Sequence, residues 1–142
     1  MVSDDLIMAE AIRLVDEGVE VTFPVNGRSM LPFIVGGRDS VVLVKQSALK
    51  RGDVILARVE NGHFVIHRIV DIAGEDVTLM GDGNLCLREH CKVNDVRAKV
   101  THVVCGKKRI SLESRRQRVK AKIWFWLLPV RRWLLAIYRR LV

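Results

Sequence analysis

Two side chains of this sequence have the types needed for nucleophilic chemistry, a serine and a histidine. Ser29 lies in the segment VNGRSMLPFI, where Gly27 frees the backbone before it and Pro32 stiffens the chain after it. Such neighbours are typical of a hydroxyl that must be held in one direction, although the same residue types also form ordinary turns between strands. Because a free serine hydroxyl is protonated at neutral pH, a nucleophilic Ser29 requires a general base.

The base that the sequence offers is His67, in the predicted strand FVIHRIV. Alternation along a strand places its side chain on the same side as Val65 and Ile69, which is an apolar setting. Burial there would lower the pKa of the imidazole and keep it neutral, as a general base requires. The alternative is a core histidine that is hydrogen-bonded to a backbone carbonyl.

The elements that position these two residues are predicted to be mainly β. An apolar stripe predicts a helix over about residues 4–17, with Ser3 as its N-cap and Gly18 at its end. Gly-rich turns every eight to twelve residues or so then separate six or seven strands, which predicts a compact, coiled β-sheet or barrel. The clearest strands are expected at 19–25, 40–45, 53–59, 63–72, 77–81 and 96–104.

The last part of the chain differs from the rest in both charge and periodicity. Residues 1–106 carry 12 Lys/Arg and 15 Asp/Glu, whereas residues 107–142 carry 12 Lys/Arg and one acid, Glu113. From Ser111 onwards apolar residues recur at spacings of three and four, which predicts an amphipathic helix that Pro129 kinks or splits. We therefore expect a β domain at 1–110 and a basic helical segment at 111–142.

The basic segment has three interpretations: it binds nucleic acid, packs on protein, or lies on a membrane. Nucleic acid is disfavoured, because the aromatic side chains lie in a Leu/Ile-rich helix and not on a polar β-face. An apolar face bordered by Lys and Arg is typical of a helix at the surface of an anionic membrane. The alternative is that half of this helix covers the apolar face of the sheet. If Pro129 divides the helix, one half can pack on the sheet while the other half lies on a membrane.

Four ordered motifs carry a resemblance to a known family. GRSMLP (27–32), KRGDVILARV (50–59), VIHRIV (65–70) and LMGDGN (79–84) resemble the signal-peptidase and LexA-type serine peptidase superfamily. The resemblance covers about residues 22–84, and it implies the coiled β fold of that superfamily and a serine endopeptidase that forms an acyl-enzyme. Ser29 matches its nucleophile.

The resemblance also implies roles for the other site residues. His67 falls where archaeal and endoplasmic-reticulum signal peptidases have histidine and bacterial ones have lysine. The oxyanion hole is expected from backbone donors of the Ser29 turn, to which Gly27, Arg28 and Met30 belong.

A histidine base works better when an acid fixes its tautomer. Asp82 of the GDGN turn matches a family position and is the predicted acid, and Glu89 is the second choice. Asp53 of RGDV matches a family aspartate that we expect to form a turn.

The function expected from these features is cleavage of a peptide or leader substrate at or near a membrane surface, with no cofactor. The acidic N-terminus lacks a secretory signal pattern, and no stretch reaches the eighteen or so apolar residues of a membrane span. With three cysteines in irregular spacing, this indicates a cytoplasmic, peripherally membrane-associated protein. The alternatives are a non-catalytic peptide-binding scaffold with the same fold and a self-processing regulator.

Histidine and cysteine residues elsewhere in the sequence raise the possibility of a metal site. Its ligands would come from two histidine–cysteine groups in the sequence, and their spacings match no standard zinc module, so ordinary packing is favoured. The residues concerned are Cys86, His90, Cys91, His102 and Cys105.

Overall fold

Strands dominate the part of the chain that the computed structural model describes, which is residues 4–26, 30–46, 48–60, 62–83 and 88–141. The first helix is followed by eight described strands and then by two more helices, so the prediction of a mainly β chain is confirmed. In chain order these are α1 Asp4–Asp16, β1 Val21–Pro24, β2 Asp39–Val44, β3 Val54–Arg58, β4 Phe64–Ala73, β5 Asp76–Met80, β6 Glu89–Lys92, β7 Val96–Cys105, β8 Lys108–Ser111, α2 Arg115–Trp126 and α3 Arg131–Leu141.

The strands form one antiparallel sheet in the order β1-β2-β7-β3-β4-β5-β6, with β8 paired to β7. As far as the described residues go, this sheet stays open and does not close into a barrel. The register between β4 and β5 is irregular between Ile69 and Asp71, close to His67 on the same strand.

The predicted elements agree closely with the observed ones. α1 ends at Asp16, and Gly18 follows in the left-handed region at φ 89°, which a residue without Cβ adopts without strain. The six strands named above are all present, with ends that differ by at most two residues. Ser3, the predicted N-cap, lies outside the described residues.

Two clusters of buried side chains hold the sheet together. In one, α1 packs through Val15 on a sheet face that includes Leu43 and Leu56. The other gathers Ile55 and Ile69 with their neighbours from β5 and β6. Burying one Leu or Ile side chain contributes roughly 1.5–3 kcal/mol, so these clusters keep β3 and β4 rigid beneath the candidate site.

The C-terminal segment packs on the β domain and does not project away from it. Ser114 caps α2 by accepting a hydrogen bond from the backbone N–H of Gln117 at 3.3 Å. Pro129 lies in a 3₁₀ turn, Leu128–Val130, that separates α2 from α3, so the predicted split is confirmed. Trp124 and Leu135 are buried against Leu31 and Val35, which follow Ser29 in the sequence.

Asp53 forms the turn that the sequence predicted for it. Its side chain is buried, and Oδ2 accepts the backbone N–H of Lys50 at 3.0 Å. Lys99 and Arg118 place cationic groups 3.6 and 3.7 Å from the same carboxylate. Asp53 therefore also links α2 to the sheet.

Candidate functional site

His67 lies in the middle of β4, opposite Ile55 of β3, and only 5% of its surface is exposed. The strand alternates here as the sequence predicted, since Ile69 lies in one buried cluster and the partly buried Val65 packs against the same cluster. Ile55, its partner on β3, is fully buried. The imidazole therefore lies in a buried, mostly apolar position.

A carboxylate approaches this imidazole from β6. Oε1 of Glu89 lies 2.5 Å from Nδ1 of His67, and both side chains are largely buried. The two atoms are at ion-pair distance, and within the described chain neither of them has another partner. A carboxylate at Nδ1 favours the tautomer that carries its proton there, which leaves Nε2 as the basic nitrogen.

The protonation state of His67 follows from two opposing effects. Burial lowers the pKa of the imidazole, because the charged form loses its hydration, and this effect outweighs the others. The Glu89 carboxylate opposes it by attracting the imidazolium, and Asp82 does so to a smaller degree. The net direction is a pKa below the ordinary value, so His67 is neutral at pH 7 and able to accept a proton.

Asp82, the predicted orienting acid, is bound to a different residue. Both of its carboxylate oxygens accept from the guanidinium of Arg68, Oδ1 from Nε at 2.8 Å and Oδ2 from Nη2 at 2.7 Å. The pair is nearly buried. The position at Nδ1 of His67 is held by Glu89, which was our second choice, because the fork of Arg68 takes both oxygens of Asp82.

The backbone of Asp82 joins three other parts of the molecule. Its N–H lies 3.4 Å from the sulfur of Met30, and its carbonyl accepts the indole N–H of Trp124 at 2.7 Å. The guanidinium of Arg131 lies 5.1 Å from the centre of the Trp124 ring, and burial lowers the pKa of Arg131. The C-terminal helices therefore support the turn at Asp82 directly.

The residues around the predicted nucleophile are only partly described. Ser29, Gly27 and Arg28 lie outside the described residues. Asn26 and Met30, on either side of them in sequence, both line a cavity of about 350 Å³ that His67 also lines. Met30 itself is buried, and its carbonyl accepts the backbone N–H groups of Phe33 and Ile34.

This cavity is mostly apolar. Its remaining walls come from α1, β1, the strands β3 and β4, and the described residues before and after position 29. They are Ile7, Met8, Phe23, Pro24, Val25, Ile34, Leu56, Phe64, Val65 and Ile66. A histidine at the wall of an apolar cavity is the arrangement expected of a site that binds an apolar side chain close to a base.

Two functional neighbours were missed by the sequence reasoning. Arg68 follows His67 directly, and the resemblance drew attention to the HR pair without giving the arginine a role. Trp124 is 42 residues from Asp82, and nothing in its helical pattern separates it from the exposed aromatic residues beside it. Only the three-dimensional packing identifies it.

Replacing Trp124 with phenylalanine should destabilise the protein by roughly 1–3 kcal/mol, because the buried carbonyl of Asp82 loses its donor. Urea unfolding followed by circular dichroism measures this. Trp126→Phe is the matched control, since Trp126 is 86% exposed and the same change there should stay within about 0.5 kcal/mol. Equal losses in the two variants would contradict the importance of the indole hydrogen bond.

No metal-binding arrangement is seen in the described residues, where no three or more His, Cys, Asp or Glu side chains are grouped as a metal ion requires. Cys91 is buried in the core, and burial raises the pKa of its thiol to about 11. Nδ1 of His102 lies 2.9 Å from the hydroxyl oxygen of Thr101. Cys86, another residue of the two histidine–cysteine groups, lies outside the described residues.

Within the described residues, every helix is too short or too polar to cross a bilayer. No known protein family model matches the chain, and no curated protein sequence matches it.

Proposed function

We propose that this protein is a serine endopeptidase of the signal-peptidase type, with Ser29 as nucleophile, His67 as general base and Glu89 as the residue that orients His67. The observation that carries the proposal is a buried histidine with a carboxylate at Nδ1, which lines a cavity together with Asn26 and Met30, the described residues on either side of Ser29 in the sequence. An imidazole in this state has one nitrogen ready to accept a proton.

The reaction proceeds through an acyl-enzyme. The Oγ of Ser29 attacks the scissile carbonyl carbon while its proton passes to Nε2 of His67. Backbone N–H groups of residues 27–30 hold the oxyanion. When the C–N bond breaks, His67 gives the proton to the leaving amine and an ester on Ser29 remains. Water then attacks the ester, with His67 again taking and returning a proton, and the free carboxylic acid leaves.

The substrate class follows from the walls of the cavity and from the edge of the sheet. β1 is an outer strand of the described sheet, and Phe23 and Pro24 of β1 line the cavity beside His67. An extended peptide can pair with such an edge and place alternate side chains into pockets. We therefore propose a peptide substrate with an apolar side chain next to the cleaved bond.

The proposal includes a location at the surface of an anionic membrane. Both C-terminal helices bury one side against the domain and leave other apolar residues exposed, among them Trp126 at 86%, Trp133 at 68% and Leu141 at 80%. Lys120, Lys122, Arg132, Arg139 and Arg140 accompany them on the same two helices. Exposed tryptophan next to Lys and Arg favours the interface between water and lipid.

A fluorophosphonate probe tests the catalytic proposal before any substrate is known. We expect the probe to label Ser29, as located by mass spectrometry of the labelled peptide, and the labelling to be lost in His67→Ala. His90→Ala is the matched control, because His90 is exposed and contacts Thr78 on the far side of β5. A folded protein that binds apolar peptides without any labelling would instead support the non-catalytic scaffold.

A further inference from the structure

A second cavity, of about 420 Å³, lies between α2 and the strand β4. Four cationic side chains line it: Arg51, Arg68, Arg118 and Lys122. Among the residues that the structure describes, no acidic side chain contributes to its wall. We propose that this cavity binds the phosphate of an anionic phospholipid headgroup.

The charges around the cavity are only partly compensated. Three of the four cations have a carboxylate partner outside its wall, with nitrogen–oxygen distances of 2.7 to 3.7 Å: Arg51 with Asp71, Arg68 with Asp82, and Arg118 with Asp53. Lys122 makes no ion pair or side-chain hydrogen bond within the described part of the chain. Its ammonium group therefore has the capacity to bind an anion that enters the cavity.

The rest of the wall favours a lipid over a soluble anion. Phe125 and Trp126 line the same cavity and are 42% and 86% exposed. A soluble phosphate gains nothing from an exposed tryptophan, whereas an indole next to a bound headgroup lies at the depth that tryptophan prefers in a bilayer. The exposed apolar surface continues along the chain through Val130 and Trp133.

This inference rests on the membrane part of the proposed function and is independent of the chemistry at Ser29. The two are separable in one experiment, because Ser29→Ala should abolish probe labelling and leave lipid binding unchanged. If the unmodified protein is labelled by the probe but does not bind lipid, the headgroup site is refuted and the catalytic proposal is not.

The test is co-sedimentation with vesicles of phosphatidylcholine, either alone or mixed with phosphatidylglycerol. Lys122→Gln is compared with Lys120→Gln, since both lysines are exposed on α2 and each change removes one charge. Lys120 lies roughly 200° away around the helix axis and does not line this cavity.

We expect binding only to the vesicles that contain phosphatidylglycerol. Lys120→Gln should weaken it by at most about fivefold, the effect of one cation near a charged surface. Lys122→Gln should weaken it by roughly thirtyfold, because a charge-assisted hydrogen bond to phosphate is lost as well. Thermal unfolding of both variants should match that of the unmodified protein.

Three results would overturn the proposal. Equal losses in the two lysine variants would mean that charge alone attracts the segment to lipid. Equal binding to both kinds of vesicle would mean that the net negative charge of the headgroup is not recognised. Binding of inorganic phosphate, measured by calorimetry, without any binding to vesicles would assign the cavity to a soluble anion.

Discussion

Replacing Glu89 with glutamine should lower kcat by roughly 10³- to 10⁴-fold and change KM little, as expected for the acid that orients a catalytic histidine. Glutamine keeps the size of the side chain and removes its charge. It also allows the amide to present an N–H to Nδ1, which favours the tautomer with the proton on Nε2, the wrong nitrogen for a base. The imidazolium that forms during the reaction then lacks its counter-charge.

The pH profile separates this positioning role from a merely structural one. Activity falls on the acid side as His67 becomes protonated, and the pKa of His67 is lowered by burial and partly restored by Glu89. Removing the carboxylate takes away the attraction that favours the protonated form, so the acid limb of kcat/KM should move to lower pH. A purely structural effect would lower activity at every pH without moving that limb.

The variant to compare with Glu89→Gln is Asp82→Asn. For both variants, kcat is divided by the concentration of active sites, as measured by titration with the fluorophosphonate. Because Asp82 binds Arg68 and affects His67 only from a distance, its removal should shift the acid limb less and reduce kcat per titrated site far less. A larger kinetic effect of Asp82→Asn than of Glu89→Gln would return the orienting role to Asp82, as the sequence first indicated.

Most of the sheet could be predicted because its inner strands carry continuous or alternating apolar residues. The two strands that were missed, β6 and β8, are short and polar, with the sequences EHCK and KRIS. Each pairs with one neighbour only in the described sheet, β6 with β5 and β8 with β7, and most of their side chains are exposed. They are held in the sheet by their pairing partners, and the periodicity of apolar residues in a single sequence does not predict such strands.

The partner of His67 depended on register. Glu89 on β6 pairs with Leu79 on β5, and Leu79 pairs in turn with Ile69 on β4. The irregularity between Ile69 and Asp71 sets this register, and the register determines which acid reaches the imidazole. Asp82 is nearer to His67 in sequence, but Arg68, directly beside the histidine, offers a two-pronged donor that a carboxylate prefers. Neither the register nor this competition can be read from residue types alone.

Replacing Asp82 with alanine should cost about 3–5 kcal/mol in the free energy of unfolding, because it leaves the nearly buried guanidinium of Arg68 without its counter-charge. The matched control is Asp71→Ala, which removes the partner of Arg51 from an ion pair of almost the same length, 2.8 Å. That pair is exposed, with 74% and 49% of its two side chains accessible, so its removal should cost only about 0–1 kcal/mol.

Urea unfolding at pH 7 measures both changes, and the double replacement of Asp82 and Arg68 completes the comparison. Removing both members eliminates the unpaired buried charge, so the Asp82→Ala, Arg68→Met variant should be more stable than Asp82→Ala alone. If Asp82→Ala and Asp71→Ala lost equal stability, the Arg68–Asp82 pair would be a solvated contact. The turn next to His67 would then be held mainly by the indole of Trp124 and the sulfur of Met30.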